Sequence, residues 1–408
     1  MLDDPARRSV LRRLAVVGSV GLAGCSAEDA TPTTSTPSDT PTDSPTPSPT
    51  AEQPSETDTS DQPCPDPTDL PVQWRRETGD RNFDPVVADG TVYLGSGPTG
   101  GYLRAVSLAD GTDSWKTRAD GMIYAPPTLG PDTVYYTGHE HVAAFTRHDG
   151  TERWRHETTG NVPKPATADD GLVCFGESNH PTPQTTVDDQ FDRVVALDGD
   201  GEVRWRSRYA PAVRAPVETA PVVVDETVLV GAGDSTVRAF DRGDGALLWT
   251  SEVSAPRDAV VVDAGGTDAV AFASRGGVET LAVDDGRTLW RDRIGVDRIA
   301  VDGDRAFAAS GEELRSLDAS DGTLAWSRSA FTGRLVGLAA ANDRLVGSLR
   351  SDDGRLCVAV LAPDTGCVTR SFETGGRWLS PPALGTELTV AATGYEDRSI
   401  YALPAGER

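Results

Sequence analysis

Lysine is almost missing. The 408-residue chain holds only Lys116 and Lys164 among 38 basic residues, set against 63 acidic ones. A net charge of −25 excludes the usual nucleic-acid binder, which needs clustered Lys and Arg against the phosphate backbone. Cysteine is scarce as well. Cys25, Cys64, Cys174, Cys357 and Cys367 include no C-x-x-C pair, which removes zinc-ribbon and thioredoxin-type motifs. No G-x-S-x-G, H-E-x-x-H or phosphate-loop sequence occurs, and no N-x-S/T glycosylation acceptor.

What the chain does have is one phrase, repeated. Leu103 to Trp115 reads as a short strand, an Asp110-Gly111 turn, and a second strand carrying a large aromatic, which is a β-hairpin. Similar turns lead to Trp154, Trp205, Trp249, Trp290 and Trp326, each Trp four residues after the turn glycine. At Asp364-Thr365-Gly366 the turn survives, but Arg370 holds the Trp position. The Trp positions recur every 36 to 51 residues, so the chain stacks as one repeat body rather than two independent domains. Each interval fits four short strands; in the first these lie near residues 85–88, 91–95, 102–108 and 112–117.

The two ends of the repeat region complement each other. Pro71-Val72-Gln73-Trp74 reads as the last strand of a unit whose first three strands are missing. Ser399 to Leu403 reads as a third strand with no fourth after it. Joining them closes a ring and removes the exposed sheet edges. The expected fold is therefore all-β: an eight-bladed propeller of four-stranded antiparallel blades over residues 70–408, closed by the N-terminal strand.

The phrase Ala-x-x-x-Asp-Gly-x-x-x-Trp, from Ala105 to Trp115 and in its copies, resembles the pyrroloquinoline quinone (PQQ) propeller repeat. That resemblance implies that Trp74, Trp115, Trp154, Trp205, Trp249, Trp290 and Trp326 dock between adjacent blades. It does not by itself imply the quinone or its calcium. Quinoprotein dehydrogenases of this family carry long insertions and a pair of adjacent cysteines, and this chain has neither. The chain is similar to the cofactor-free branch, which includes the BamB-type lipoproteins. That similarity implies a binding or assembly scaffold with protein partners at the cell surface, no catalysis, no cofactor and a monomeric ring. Two alternatives stay open: a reduced quinoprotein oxidoreductase, and a solute-binding module using the central channel.

Residues 1–25 read as an export signal. Arg7-Arg8-Ser9-Val10-Leu11-Arg12 resembles a twin-arginine motif. The apolar run from Leu14 to Ala23 is too short for a lasting membrane span, and Leu22-Ala23-Gly24-Cys25 resembles a lipobox. Cys25 is the expected lipid attachment point, placing the body on the outer face of the cytoplasmic membrane. Residues 26–69 are almost wholly Thr, Ser, Pro, Asp and Glu, the composition of a disordered tether. The acidic, Lys-poor balance is similar to that of proteins from salt-loving archaea; a GC-rich bacterium is the other reading.

Few side chains suggest chemistry. His139 and His141, with His180 from the insertion at residues 177–191, are candidate metal ligands, though loop histidines ordinarily serve as solvated or backbone-bonded groups. The insertion itself is a candidate partner contact, because it is extra to the fold. The repeated acids Asp110, Asp149, Asp200, Asp244, Asp285, Asp321 and Asp364 are assigned to turns, since no loop has the ligand spacing of a calcium hand. Cys174 and Cys357 read as small strand residues, and how any cysteines pair stays open.

Overall fold

The computed structural model describes residues 64–97, 101–121, 123, 125–179, 191–209, 214–329 and 333–404. Arg7, Arg8 and Cys25 lie outside them. The described residues form eight antiparallel sheets and no helix. Blade 1 is Val86–Ala88, Thr91–Ser96, Tyr102–Ser107 and Asp113–Arg118, paired in chain order. Blades 2 to 6 repeat the plan, and blade 7 begins at Arg334–Ala341. Blade 8 takes its outermost strand from the other end of the chain. Trp74–Glu77 pairs antiparallel with Ser399–Pro404, Trp74 opposite Ala402 and Glu77 opposite Ser399. The ring therefore closes as the two complementary ends require.

The core is divided into eight hydrophobic clusters, one in each seam between neighbouring blades. Blade 1 shows why. Leu103 and Ala105 pack with Tyr136 and Phe145 of blade 2, while Val92 and Val106 pack with Val390 and Ile400 of blade 8. Both faces of the middle strands are covered, so they read as near-continuous apolar runs rather than alternating ones. Even Arg104 is 3% exposed, with Nη1 3.2 Å from Asp113.

The repeated phrase fixes each seam. A bulge beside the Asp-Gly turn places Trp115 opposite Ala105, Trp154 opposite Ala144 and Trp205 opposite Ala196. The small partner leaves room for the indole to lean onto the next blade. There its Nε1–H donates to a carbonyl: Trp115 to Arg147, Trp154 to Gly199, Trp205 to Arg242, Trp249 to Val283, Trp290 to Ala319, Trp326 to Pro363, and Trp74 to Leu108, all at 2.7 to 3.0 Å. The turn acids cap their own turns. Asp110, Asp149, Asp244, Asp285 and Asp321 each accept from the backbone N–H two residues on. The Thr112 N–H holds the Asp110 carboxyl below the usual range, and the Thr146 hydroxyl with the Thr151 N–H holds that of Asp149 at about 2.

The seam between blades 7 and 8, where Arg370 replaces Trp, is built differently. Thr68–Asp69 adds a fifth strand to blade 7, parallel to Val368–Thr374, with Thr68 opposite Arg370. Leu70, 1% exposed, fills the seam alongside Phe372 and Tyr401, and its N–H donates to Ser371 at 2.8 Å. A Cys64–Cys367 disulfide ties this segment to the blade 7 turn. Residues 64–69, assigned by composition to the tether, thus contribute to the ring, because backbone pairing and one buried leucine need no apolar-rich sequence. Among the described residues the other two thiols are free, Cys174 buried and Cys357 half-buried.

Candidate docking face

In a four-stranded antiparallel blade, the first and third connections fall at one end, the second and the blade-to-blade connection at the other. The Asp-Gly turns therefore share one face of the ring. The second and the blade-to-blade connections share the opposite one, the loop face.

The two histidines expected near a loop meet on that face. His139 lies in the second connection of blade 2, and His141 opens its third strand. Both line a cavity of about 420 Å³ with Asp120, Gly121, Glu140, Arg155 and Glu157. They are not equivalent. His139 is half-buried, its Nδ1 3.8 Å from Glu140. His141 is 6% exposed, edge-on to Tyr136 at 5.5 Å, with Nε2 unbonded. Its ring covers Gly138, where a Cβ would come within 2.5 Å of the imidazole. Burial, then the Arg155 charge, lower its pKa, so it is neutral at pH 7. Among the described residues no group of three or more His, Cys, Asp or Glu side chains is placed to hold a metal ion. His180 lies outside the described residues.

Blade 3 carries the longest hairpin of the face. Leu172–Asn179 pairs with Phe191–Asp198 along its whole length, Asn179 opposite Phe191. Glu177 and Phe191, taken as the ends of the insertion, are ladder residues, and residues 180–190 lie outside the described ones. Glu177 is 1% exposed and acts as a post. One carboxylate oxygen accepts from the N–H groups of Thr159 and Gly160, at 2.7 and 2.8 Å, and the other from Arg193 at 2.7 Å. It pins the connection from blade 2 to this hairpin.

A second group, not visible in the sequence, gathers at the mouth of the central channel. Asp84, Lys164, Glu218, Asp258 and Arg298 come from the inner ends of five blades. Lys164 Nζ lies 3.7 Å from Glu218. Burial pulls the Lys164 pKa down, while Glu218 and Asp258 oppose this. Asp258 accepts from Ala259 N–H at 3.0 Å. Asp84 is 3% exposed, and burial pushes its carboxyl up to about 7 against the pull of Arg298. The group mixes three acids with two bases. It does not form the all-oxygen cage of six or more ligands that calcium takes. Nor does the chain hold the adjacent cysteines expected over a quinone.

The family model described as outer membrane protein assembly factor BamB matches residues 66–180, 181–300 and 274–376. The chain belongs to this family. The curated relatives carry the same name: one from Yersinia pestis is 28% identical over 191 residues, covering 40% of this chain and 47% of its own. One from Salmonella typhimurium is 27% identical over 251 residues, 58% of this chain and 61% of its own. The chain thus spans about half the length of the curated relatives it matches. Among solved structures, BamB from Moraxella catarrhalis superposes with a TM-score of 0.65 at 18% identity, covering 83% of this chain and 98% of that one. Quinohemoprotein alcohol dehydrogenase from Comamonas testosteroni superposes with 0.64 at 13% identity, over 84% and 77%. At these identities the structural likeness shows the fold alone.

Proposed function

We propose that this BamB-family ring is a protein-binding assembly scaffold, monomeric and without catalysis or cofactor. It is exported by the twin-arginine route through Arg7 and Arg8 and held at the outer face of the cytoplasmic membrane by lipid on Cys25. The observation that carries the scaffold role is the family match across residues 66–376, to relatives named as assembly factors. The loop face supports it, because the second and blade-to-blade connections, which lie outside the repeated phrase, gather there. The acidic composition supports a high-salt setting. Crosslinking of the tagged protein in native membranes at its own salt, read by mass spectrometry, tests the role. A reproducible partner crosslinked to the loop face is the expected result; a clean preparation with none overturns it.

One observation favours a second reading. The charged group at the channel mouth, with buried Asp84 facing Arg298, is the kind of site that holds a small polar ligand. A thermal-shift screen with a panel of sugars and small ions separates the readings, and a saturable shift lost in Asp84→Asn would replace the scaffold with a solute-binding module.

A further inference from the structure

The second cavity of the loop face, about 440 Å³, opens beside the junction of blades 8 and 1 and is lined by Arg377, Tyr395, Glu396 and Arg398. Its wall is held in a costly conformation. Tyr395 has φ +66°, in the left-handed region that a bulky side chain avoids, and is 50% exposed. Such strain persists only where the surroundings impose it, and it concentrates at functional surfaces. Here the surroundings are arginines. Arg398 Nε donates to the Tyr395 carbonyl at 2.8 Å, and its Nη1 to Gly79 at 2.9 Å. The Arg81 guanidinium lies 4.4 Å from the Tyr395 ring and 5.1 Å from that of Phe83.

The charge of this patch runs against that of the molecule. Arg75 is engaged by Asp397 at 3.0 Å, and Arg377 by Glu396 at 2.9 Å. Among the described residues Arg81 and Arg398 have no carboxylate partner. Two uncompensated cations thus flank an exposed aromatic ring on a chain of net charge −25. In 0.15 M salt the screening length is about 8 Å, so the distant acids are damped while arginines touching a ligand act in full.

We propose that this cavity docks an acidic peptide segment of a protein partner. Its carboxylates face Arg398 and Arg81, and its backbone packs on the Tyr395 ring. The inference deepens the scaffold reading and rests on it. A fluorescein-labelled decapeptide of alternating Glu and Gly serves as probe, read by anisotropy at a salt concentration where the protein is folded. Tyr395→Gly removes the ring and suits the left-handed backbone, so it preserves the fold. Arg81→Gln removes the charge. Each is expected to weaken binding about tenfold, with the melting curve of Tyr395→Gly at or above wild type. The Lys-Gly counterpart is expected not to bind. Unaltered binding by both variants, no saturable binding by wild type, equal binding of the Lys-Gly peptide, or full displacement by millimolar phosphate would each overturn the site. A photo-crosslinker in place of Glu396 separates this from the scaffold role. A partner caught in native membranes from other positions but not from 396 removes the site and leaves the scaffold. No partner from any position removes both.

Discussion

Trp115 lies flat against Gly150 of the next blade. A Cβ on that glycine would come within 2.5 Å of the indole, and the indole N–H reaches Arg147 in the same turn at 2.9 Å. The turn glycine of one blade and the Trp of the blade before it are thus one contact, repeated from Trp74 with Gly111 to Trp326 with Gly366. Gly150 is required twice, by its φ of +71° and by the ring above it. Gly171 separates the two demands, since it has φ +72° but nothing within 4 Å of its Cβ position. Gly171→Ala should cost about 1 kcal/mol, the backbone term alone. Gly150→Ala should cost about 2 kcal/mol more by forcing the indole away. Trp115→Ala should cost about 3–5 kcal/mol. Denaturant melts of the three variants check the order, and equal losses at the two glycines would refute the shared contact.

The Cys64–Cys367 bridge closes a loop across 303 residues of sequence at the one seam without a Trp. Crosslinking so long a loop removes much freedom from the unfolded chain. Cys64→Ser, or reduction of the wild type, should therefore lower stability by about 2–5 kcal/mol. Cys357→Ser, at a free thiol, should change it little and should leave the response to reductant intact. Thermal melts with and without reductant read this directly; no difference would mean that Thr68–Leu70 holds the seam unaided.

The repeat was legible because everything it needs is local. A strand, an Asp-Gly turn and a Trp at fixed spacing lie within about a dozen residues, and the phrase occurs six times, with a seventh turn whose Trp position is Arg370. Closure was legible because Trp74 sits in a last strand without the first three and Ser399–Leu403 is a third strand without a fourth. The seam at Arg370 was visible as an exception, but not its remedy, because Thr68 and Cys64 sit in a segment whose composition is that of a tether. Glu177 reads as part of an insertion, yet its role lies in accepting from Thr159 and Gly160, which no local pattern announces. The channel group is illegible for a related reason. Asp84, Lys164 and Arg298 are single polar residues, far apart in sequence, that only ring closure brings to one place.

The excess of acids makes stability salt-dependent in a recognisable way. Self-repulsion of a chain at −25 weakens the compact state, and screening relieves it as the Debye length falls from about 10 Å at 0.1 M to about 3 Å at 1 M. The melting temperature should rise steeply up to about 1 M NaCl and then flatten. A linear rise continuing to 3 M would instead indicate strengthened burial by an excluded salt. A flat curve from 0.1 M would show that the charge is carried without cost.

Asp84 gives the pH dependence a distinct sign. Burial raises its native pKa from 3.8 to about 7, so between those values the folded state holds a proton that the unfolded state has lost. Its contribution to stability is complete below about pH 4 and declines as pH rises through 7. This is opposite to Asp397, whose carboxyl is held low by Ser399, Tyr401 and Arg75 despite partial burial and which loses stability on acidification. Asp84→Asn keeps the shape and removes the titration. At pH 8 the variant should be more stable than wild type, by at most about 4 kcal/mol. At pH 4 the two should melt alike. Chemical denaturation of both proteins at pH 4, 6 and 8 measures the difference. A gap that does not widen with pH would mean that Asp84 is ionised in the fold, its charge held by Arg298 across the channel.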